Sequence, residues 1–324
     1  MDSLSFKCEI CGAKVYLENI RDGLVYNICR GCGHCLIQMT SITDEDFEKA
    51  QDLYFGANSI LLQSNPSAND QEILTTRISV ILGYIKSDCS VVEVGPGAGF
   101  LLREFQKRNF KLKAVEYSHV LADALRNKFG LDVVTGNFEK LTTSLGSFDA
   151  FCSFHVIEHV PSPESHLKAA LEIVKPGGLG FIATPNALSW QQRWFRKLSP
   201  NFDEAHLRVF SAQSLRESCT NAGWEVIDIT TPEYSIGWLR VISKAVRRMR
   251  QENETASAGK YAAVSTSRLR WIYKLISLIS LPLRILQSRL GGGNELFFVL
   301  RRPAENCFLS SINEDKSSLV RKFT

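Results

Sequence analysis

The sequence lacks any segment typical of export or of membrane crossing. Its start shows no basic stretch followed by a short apolar stretch, and no apolar run approaches about 18 uninterrupted residues. These absences predict neither secretion nor a membrane-spanning helix. The expected compartment is therefore the cytoplasm.

A large charge of one sign is also missing. The 324 residues carry a formal net charge of +4, which is too small to imply nucleic-acid binding by itself. A hydrophobic share of 44% and a charged share of 22% are ordinary for a globular protein. The length suffices for one substantial core and a small additional unit.

Cysteine, in contrast, is concentrated near the start of the chain. Four of the nine cysteines form two Cys-x-x-Cys pairs, Cys8 with Cys11 and Cys29 with Cys32. Such pairs place four thiolates around one Zn²⁺, and a site closed by four thiolates is typical of structural zinc. We therefore predict a zinc ribbon over residues 1–40, in which the metal replaces a core that so short a segment cannot build.

Two alternatives stay open for this cysteine cluster. Disulfide bonds would use the same residues, although a reducing cytosol disfavours them. His34 or Cys35 could also replace Cys32 as the fourth zinc ligand.

A run of glycines follows an apolar segment in the first third of the chain. Residues 91–100 read Val-Val-Glu-Val-Gly-Pro-Gly-Ala-Gly-Phe and lead into a helix-like stretch. Glycine lets the backbone turn sharply and approach a ligand closely, and the start of a helix adds partial positive charge. About twenty residues later a second apolar run ends on Glu116, where a βαβ unit holds the ribose of a nucleoside cofactor. The pattern predicts a nucleoside-cofactor site.

The spacing of these glycines discriminates between cofactors. A nicotinamide dinucleotide calls for Gly-x-Gly-x-x-Gly, whereas Gly95, Gly97 and Gly99 follow Gly-x-Gly-x-Gly. Glu93 precedes them by two residues, and an acid there suits a cation. The region resembles the class I S-adenosylmethionine-dependent methyltransferases, whose cofactor carries an amino group and a sulfonium but no phosphate.

Further landmarks of that family follow in the same order. Residues 132–139 resemble its third strand and the loop that touches adenine. Residues 148–160 resemble its fourth strand and Glu-His-Val signature, and residues 174–184 its Lys-Pro-Gly-Gly turn and fifth strand. Residues 205–211, Ala-His-Leu-Arg-Val-Phe-Ser, resemble the branch that includes ubiquinone-pathway O-methyltransferases and sugar methyltransferases.

The resemblance implies an α/β fold and an enzymatic function. We expect a Rossmann-like sheet of seven strands with the last strand antiparallel, preceded by the zinc ribbon and interrupted by a helical insertion before that strand. The expected activity is O- or C-methylation of a small-molecule, sugar or lipid-linked glycan acceptor. The cofactor contacts that the resemblance assigns are Glu93, Gly95, Gly97, Gly99, Glu116, Asn137 and Phe138.

Three histidines are candidates for the acceptor side of the site. His155 and His159 follow the fourth strand, where acceptor and methyl group meet in this fold, and His206 lies in the His-Leu-x-x-Phe segment. Because a neutral imidazole can accept a proton near pH 7, we predict His155 as the base or as an acceptor contact. A packing role is the alternative for each of the three. His119 and His166 are expected at the surface.

Two further possibilities stay open, a divalent metal site beside the acceptor and an RNA acceptor. In ubiquinone-pathway O-methyltransferases a similar Glu-x-x-Glu-His stretch can hold a divalent metal, but His155 replaces the first glutamate here. A zinc ribbon, a basic insertion and a methyltransferase fold would also describe an RNA methyltransferase. The segment after the fourth strand lacks the Asn/Asp-Pro-Pro-aromatic motif used on exocyclic base amines, so RNA is the second choice. The sequence does not indicate the oligomeric state.

The remaining predictions concern chain organisation. We expect a connecting helix and linker over residues 41–70, the methyltransferase domain over 71–302 and a disordered tail over 303–324. Residues 238–290 form a basic amphipathic insertion with a polar linker at 251–267. Such stretches suit either peripheral contact with a membrane or a lid over the site, while an internal proline and internal cations argue against spanning.

Overall fold

The computed structural model describes residues 7–21, 23–38, 65–199, 201–202, 205–249 and 270–304. Residues 41–64 of the predicted connecting helix and linker, the polar linker at 251–267 and the tail from residue 305 onward lie outside the described residues.

Two sheets, nine α-helices and a short 3₁₀ helix at Arg196–Leu198 make up the described structure. The strands are β1 (Val15–Arg21), β2 (Leu24–Cys29), β3 (Cys35–Ile37), β4 (Ser90–Val94), β5 (Lys111–Glu116), β6 (Val133–Thr135), β7 (Phe148–Phe154), β8 (Val174–Pro185), β9 (Arg208–Val209), β10 (Glu225–Thr230) and β11 (Glu295–Arg301). The helices are α1 (Ala68–Leu82), α2 (Phe100–Gln106), α3 (His119–Phe129), α4 (Phe138–Leu145), α5 (Pro163–Ile173), α6 (Trp190–Phe195), α7 (Ala212–Asn221), α8 (Ser235–Met249) and α9 (Arg270–Arg289).

The larger sheet has seven strands in the order β10-β11-β8-β7-β4-β5-β6. Strands β4 to β8 pair in parallel, whereas β11 runs antiparallel to both β8 and β10. The predicted fold class is confirmed. Because the chain moves from β4 to β5 on one side and returns to β7 on the other, a crevice opens at the carboxyl ends of β4 and β7.

The sheet is buried on both faces by helices. Strand β11 illustrates the alternation: Leu296 and Phe298 pack on the face covered by α4, α5 and α7, while Phe297 and Val299 pack on the face covered by α1 and α2. Two opposed hydrophobic layers therefore fix the position of every parallel strand and of the loops at its carboxyl end.

Helix α1 begins at Ala68, three residues before the predicted start of the domain at residue 71. The Ser67 hydroxyl accepts a hydrogen bond from the Asp70 amide, and the Asp70 side chain accepts one from the Ser67 amide. This capping box satisfies two amides that a helix start leaves unpaired, so the helix extends beyond its apolar part.

The smaller sheet joins the N-terminal ribbon to the rest of the protein. Its order is β1-β2-β3-β9, with Cys35 paired to Val209 and Leu36 to Arg208. Tyr26 is buried there against Phe202, with ring centroids 4.9 Å apart. The ribbon is therefore packed onto the rest of the protein through β9, which cysteine spacing could not indicate.

The insertion before β11 consists of α8 and α9 in the described chain. No helix among the described residues has both the length and the apolar character that crossing a membrane requires.

Candidate active site

The loop after β4 carries the three glycines, all with positive φ: Gly95 at 68°, Gly97 at 53° and Gly99 at 68°. A Cβ on Gly95 would come within 2.5 Å of Val156, and one on Gly99 within 2.8 Å of Leu125. A Cβ on Gly97 would meet nothing within 4 Å. Two of the glycines thus permit close packing of the protein on itself, and Gly97 borders open space that a ligand can enter.

The contact between Gly95 and Val156 also places the two halves of the site together. Val156 belongs to the loop after β7, so the glycine loop lies against the segment that carries the candidate histidines. A cofactor beside the glycines and an acceptor beside the histidines would therefore meet in the same crevice.

Glu93 lies at the base of this crevice and is only 4% exposed. Its Oε2 atom is buried and has no hydrogen-bond partner in the described part of the chain. Burial raises the pKa of Glu93 to about 8, against the lowering effect of the Arg77 charge, and Glu116 raises it further. A ligand with a positive group would stabilise the ionised form of Glu93 and give its unpartnered oxygen a partner.

Glu116 ends β5, and its Oε1 accepts a hydrogen bond from the Ser118 amide at 3.0 Å. Asn137 precedes α4 and caps it, because its Oδ1 accepts from the Lys140 amide at 3.3 Å. Phe138 is buried and its ring stacks on Phe151 inside the core. Any contact of Phe138 with a cofactor would therefore use its backbone and not its ring. The predicted cofactor roles of all three residues stay predictions.

His155 lies between two buried carboxylates. Its Nδ1 is 3.0 Å from Oε1 of Glu158 and its Nε2 is 2.8 Å from Oε2 of Glu295. Arg77 donates to the same Glu295 oxygen at 2.6 Å, and the Tyr234 hydroxyl donates to the other oxygen at 2.8 Å. His155 also has φ of 56°, a left-handed conformation that is uncommon in a non-glycine residue.

The two carboxylates determine the charge of His155. Removal from water lowers the pKa of His155, but Glu158 and Glu295 outweigh this effect and raise it to about 9. Burial would raise the pKa of Glu295, but Arg77 and His155 bring it to about 2. At neutral pH His155 is therefore an imidazolium that donates from both nitrogens. This geometry does not fit the predicted role of His155 as a neutral base, and a positioning or acceptor-contact role stays a prediction.

His159 and His206 lie beside this network with ring centroids 4.8 Å apart. His159 Nδ1 is 2.7 Å from the Ala205 carbonyl oxygen, and His206 Nδ1 is 3.0 Å from that of Asn201. A carbonyl accepts only from a protonated nitrogen, so Nδ1 of His159 carries the hydrogen and its Nε2 is the acceptor in the neutral ring.

Together with Glu158, these two histidines form a set that could hold a metal ion. One ligand atom from each of Glu158, His159 and His206 lies within 4.8 Å of the others. The structure thus brings together two of the three predicted catalytic histidines, while His155 reaches them only through Glu158.

Sequence reasoning missed several residues of this site and misplaced one. Glu295, Arg77 and Tyr234 come from segments that are far apart in the sequence. Glu295 is an acid at the start of an otherwise apolar last strand, and Arg77 is the one arginine of helix α1; these were the signals that could have found them. His166 was expected at the surface but is fully buried, where it lies 3.2 Å from Ser153 Oγ and 2.9 Å from Glu139 Oε1. Helix α5 turns it inward.

The four predicted zinc ligands also come together. The sulfur atoms of Cys8 and Cys32 are 3.7 Å apart and those of Cys11 and Cys29 are 3.4 Å apart. Tetrahedral Zn–S bonds of about 2.3 Å imply S–S separations of about 3.8 Å, so the spacing fits one Zn²⁺. Amides of Gly31 and Cys32 donate to Cys29 Sγ at 3.3 and 3.4 Å, as in a metal-binding knuckle.

Neither alternative fourth ligand joins this cluster. Cys35 Sγ lies 3.5 Å from the Gly33 carbonyl in a separate hydrophobic cluster, and His34 Nε2 lies 2.9 Å from Glu9 Oε1. The set of Cys8, Cys11, Cys29 and Cys32 therefore fits the predicted structural site, and zinc in it stays a prediction.

Comparison with known proteins agrees with the fold and the crevice. The family model described as "Methyltransferase domain" matches residues 68–229, which is half of the chain. The chain therefore belongs to this methyltransferase family, and it is an S-adenosylmethionine-dependent methyltransferase. The open space at Gly97 and the unpaired buried oxygen of Glu93 fit a cofactor with a cationic amino group.

Individual relatives point in the same direction. The chain is 25% identical over 172 residues to a ubiquinone biosynthesis O-methyltransferase of Azoarcus sp. (strain BH72), covering 48% of this chain and 74% of that protein. It is 28% identical over 170 residues to a probable S-adenosylmethionine-dependent methyltransferase of Mycolicibacterium smegmatis, covering 50% and 63%. The crystal structure of the [4+2]-cyclase SpnF superposes with a TM-score of 0.54 at 14% identity, over 82% of this chain and 98% of that one, which is a likeness of fold alone.

Proposed function

We propose that this enzyme methylates a hydroxyl or carbon nucleophile of a sugar or lipid-linked glycan, with S-adenosylmethionine as the methyl donor. Relatives named for ubiquinone biosynthesis support a small-molecule acceptor and O-methylation. The observation that supports the proposal is the contact between the glycine loop and the histidine loop, because a cofactor beside the glycines and an acceptor beside the histidines would then share one crevice.

Glu93, Gly95, Gly97, Gly99 and Glu116 would hold the cofactor, and Asn137 would face its base. When bound, this cofactor supplies an electrophilic methyl group. Methyl transfer is an in-line displacement, so the main tasks of the protein are alignment and exclusion of water. The network of Arg77, Glu295, His155 and Glu158 contains two cations and two anions, and it would hold the crevice wall rigid.

The acceptor proton needs a base, and His159 fits that task better than His155. Nδ1 of His159 donates to a backbone carbonyl, which leaves Nε2 as the acceptor in the neutral ring. Both nitrogens of His155 face carboxylates instead. We propose that His159 takes the proton and that His206, whose ring lies beside that of His159, orients the acceptor hydroxyl.

The test of this assignment compares His159→Asn with the matched control His119→Asn at an exposed position. We expect His159→Asn to lower turnover by about 10²-fold or more with unchanged affinity for S-adenosylhomocysteine, the demethylated product. His119→Asn should behave like the parent. If added Mg²⁺ proves necessary for turnover, then Glu158, His159 and His206 act as a metal site and the base role of His159 is wrong.

A further inference from the structure

In the described part of helix α9 two polar side chains are buried, whereas most of the apolar side chains are exposed. Arg284 and Gln287 are buried, and they bond Glu72 Oε1 at 2.6 Å and Glu233 Oε2 at 2.9 Å. On the outer side Leu278 is 68% and Ile279 71% exposed. A helix on the surface of a water-soluble protein shows the opposite arrangement, so this outer face calls for an apolar partner.

Two neighbouring helices extend this face. Trp238 of α8 donates to Gln287 of α9 at 2.9 Å, which ties the two helices together. The ring of Trp194 in α6 lies 6.2 Å from the ring of Trp238, and 60% of Trp194 is exposed. The exposed side chains of Trp194, Ile242, Leu278, Ile279, Leu283 and Leu286 are called the apolar patch below.

The helices that carry most of the apolar patch are basic in sequence. Helices α8 and α9 carry four Arg or Lys residues each and no Asp or Glu. Next to Trp194, Arg193 and Lys197 are exposed, and Arg289 is exposed near the end of α9. A second copy of the same surface would bring like charges together, whereas an anionic lipid surface would satisfy both the charges and the apolar side chains.

The apolar patch is directly connected to the catalytic crevice. Helix α8 begins at Ser235, immediately after Tyr234, whose hydroxyl bonds the Glu295 carboxylate that holds His155. A surface that held α8 would therefore be joined through Tyr234 to the residues that surround His155.

We propose that the apolar patch and its flanking cations dock the enzyme on an anionic membrane surface, so that it can take an acceptor carried on a lipid. The docking itself stands on the exposed face and its charges; the lipid-carried acceptor rests on the function proposed above. Trp194 would lie at the level of the lipid headgroups, with the aliphatic side chains of α9 in the acyl boundary.

Vesicle sedimentation of the full-length protein tests this inference. We expect the protein to sediment with phosphatidylcholine vesicles that contain phosphatidylglycerol, to bind pure phosphatidylcholine much more weakly, and to detach as salt is raised. The double variant Leu278→Glu with Ile279→Glu should weaken binding by about tenfold or more. The control variant Leu82→Glu with Val120→Glu changes the same charge at exposed positions on other helices and should bind like the parent.

Four results would overturn the inference. These are no sedimentation with either vesicle, equal sedimentation of the patch variant and the parent, a dimer that the patch variant dissociates, and tight binding of structured RNA at physiological salt. If docking fails but the protein still binds S-adenosylhomocysteine and methylates a water-soluble sugar, the proposed function is still supported. If the protein docks on vesicles but transfers no methyl group to any sugar or glycan, only the proposed acceptor fails.

Discussion

Glu93 is the residue whose surroundings say most about the cofactor. Its carboxyl group is buried, one oxygen has no partner in the described structure, and its pKa is raised to about 8. At pH 7 most of the free enzyme therefore carries Glu93 protonated. A cationic ligand would favour the ionised form, so its binding should release a proton.

Calorimetry at pH 7 in buffers of different ionisation enthalpy measures that proton. We expect release of about one proton on cofactor binding to the parent and none from this group in Glu93→Gln, with weaker affinity in the variant. Equal proton release by the two proteins would show that Glu93 does not face the bound cofactor.

His155 offers a second prediction, on stability. Its pKa is raised from 6.5 to about 9, so the stabilisation from its carboxylate partners is fully present below pH 6.5 and is lost as pH rises through 9. His155→Asn suits the positive φ and should lower the free energy of unfolding by about 1 kcal/mol at pH 6, because hydrogen bonds to charged groups are lost but solvent screens a side chain that is 43% exposed.

The measurement is denaturant unfolding of the parent and His155→Asn at pH 6 and at pH 9.5. The difference between the two proteins should shrink as pH rises. A difference that stays constant with pH would contradict the imidazolium assignment.

Residue types in the crevice could be predicted from sequence, but their partners could not. The histidines, glycines and Glu116 stand in motifs, whereas Glu295 lies 140 positions from His155 and contacts it only because β11 inserts next to β8. The two carboxylates around His155 could not be predicted for the same reason, and its role as an acceptor contact stays a prediction. A motif records the spacing of residues along the chain and does not record which charges the fold places around them.

At the scale of elements, the ribbon is connected to residues 206–211, and its cysteine spacing did not predict this connection. Strand β9 pairs with β3, and the Tyr26 hydroxyl donates to the His206 backbone carbonyl at 2.7 Å. Arg208 bonds Glu9 through Nε at 2.7 Å, and the Ser211 hydroxyl donates to the Cys32 carbonyl. The ribbon therefore supports the segment that carries His206.

The variant Cys29→Ser tests whether the ribbon holds the His206 segment in place without taking part in cofactor binding. We expect it to lose about one equivalent of zinc and to disorder the ribbon, and turnover should fall while affinity for S-adenosylhomocysteine stays nearly unchanged. Cys219→Ser, at a buried cysteine outside the ribbon, is the control and should keep its zinc. An ordered ribbon in metal-free protein would contradict the metal assignment.

The elements differ in how well their sequences predicted them. The apolar strands β4, β7 and β11 were placed correctly, because strands buried on both faces are continuous apolar runs. The insertion was identified as basic and amphipathic, but its orientation could not be inferred. Periodicity reveals that a helix has two faces, and only packing decides which face is buried.

At the scale of the whole molecule, the strand order of the larger sheet explains where the candidate site residues lie. The strand order β10-β11-β8-β7-β4-β5-β6 creates one switch point beside β4, and the glycine loop, Glu93 and the histidine loop all gather there. The fold class followed from the succession of motifs along the chain. The motifs did not predict that the ribbon and the enzyme share a sheet, because this connection depends on β9, a strand of only two residues.

The central claim is that the glycine loop holds S-adenosylmethionine, and calorimetry with S-adenosylhomocysteine tests it most directly. We expect 1:1 binding in the micromolar range, about 8 kcal/mol, without competition from NADH. Gly97→Val should abolish binding by filling the open space. Gly177→Val, which has a similar φ of 77° and open surroundings at the opposite end of β8, is the control and should retain binding. Unchanged affinity in a folded Gly97→Val protein would contradict the account.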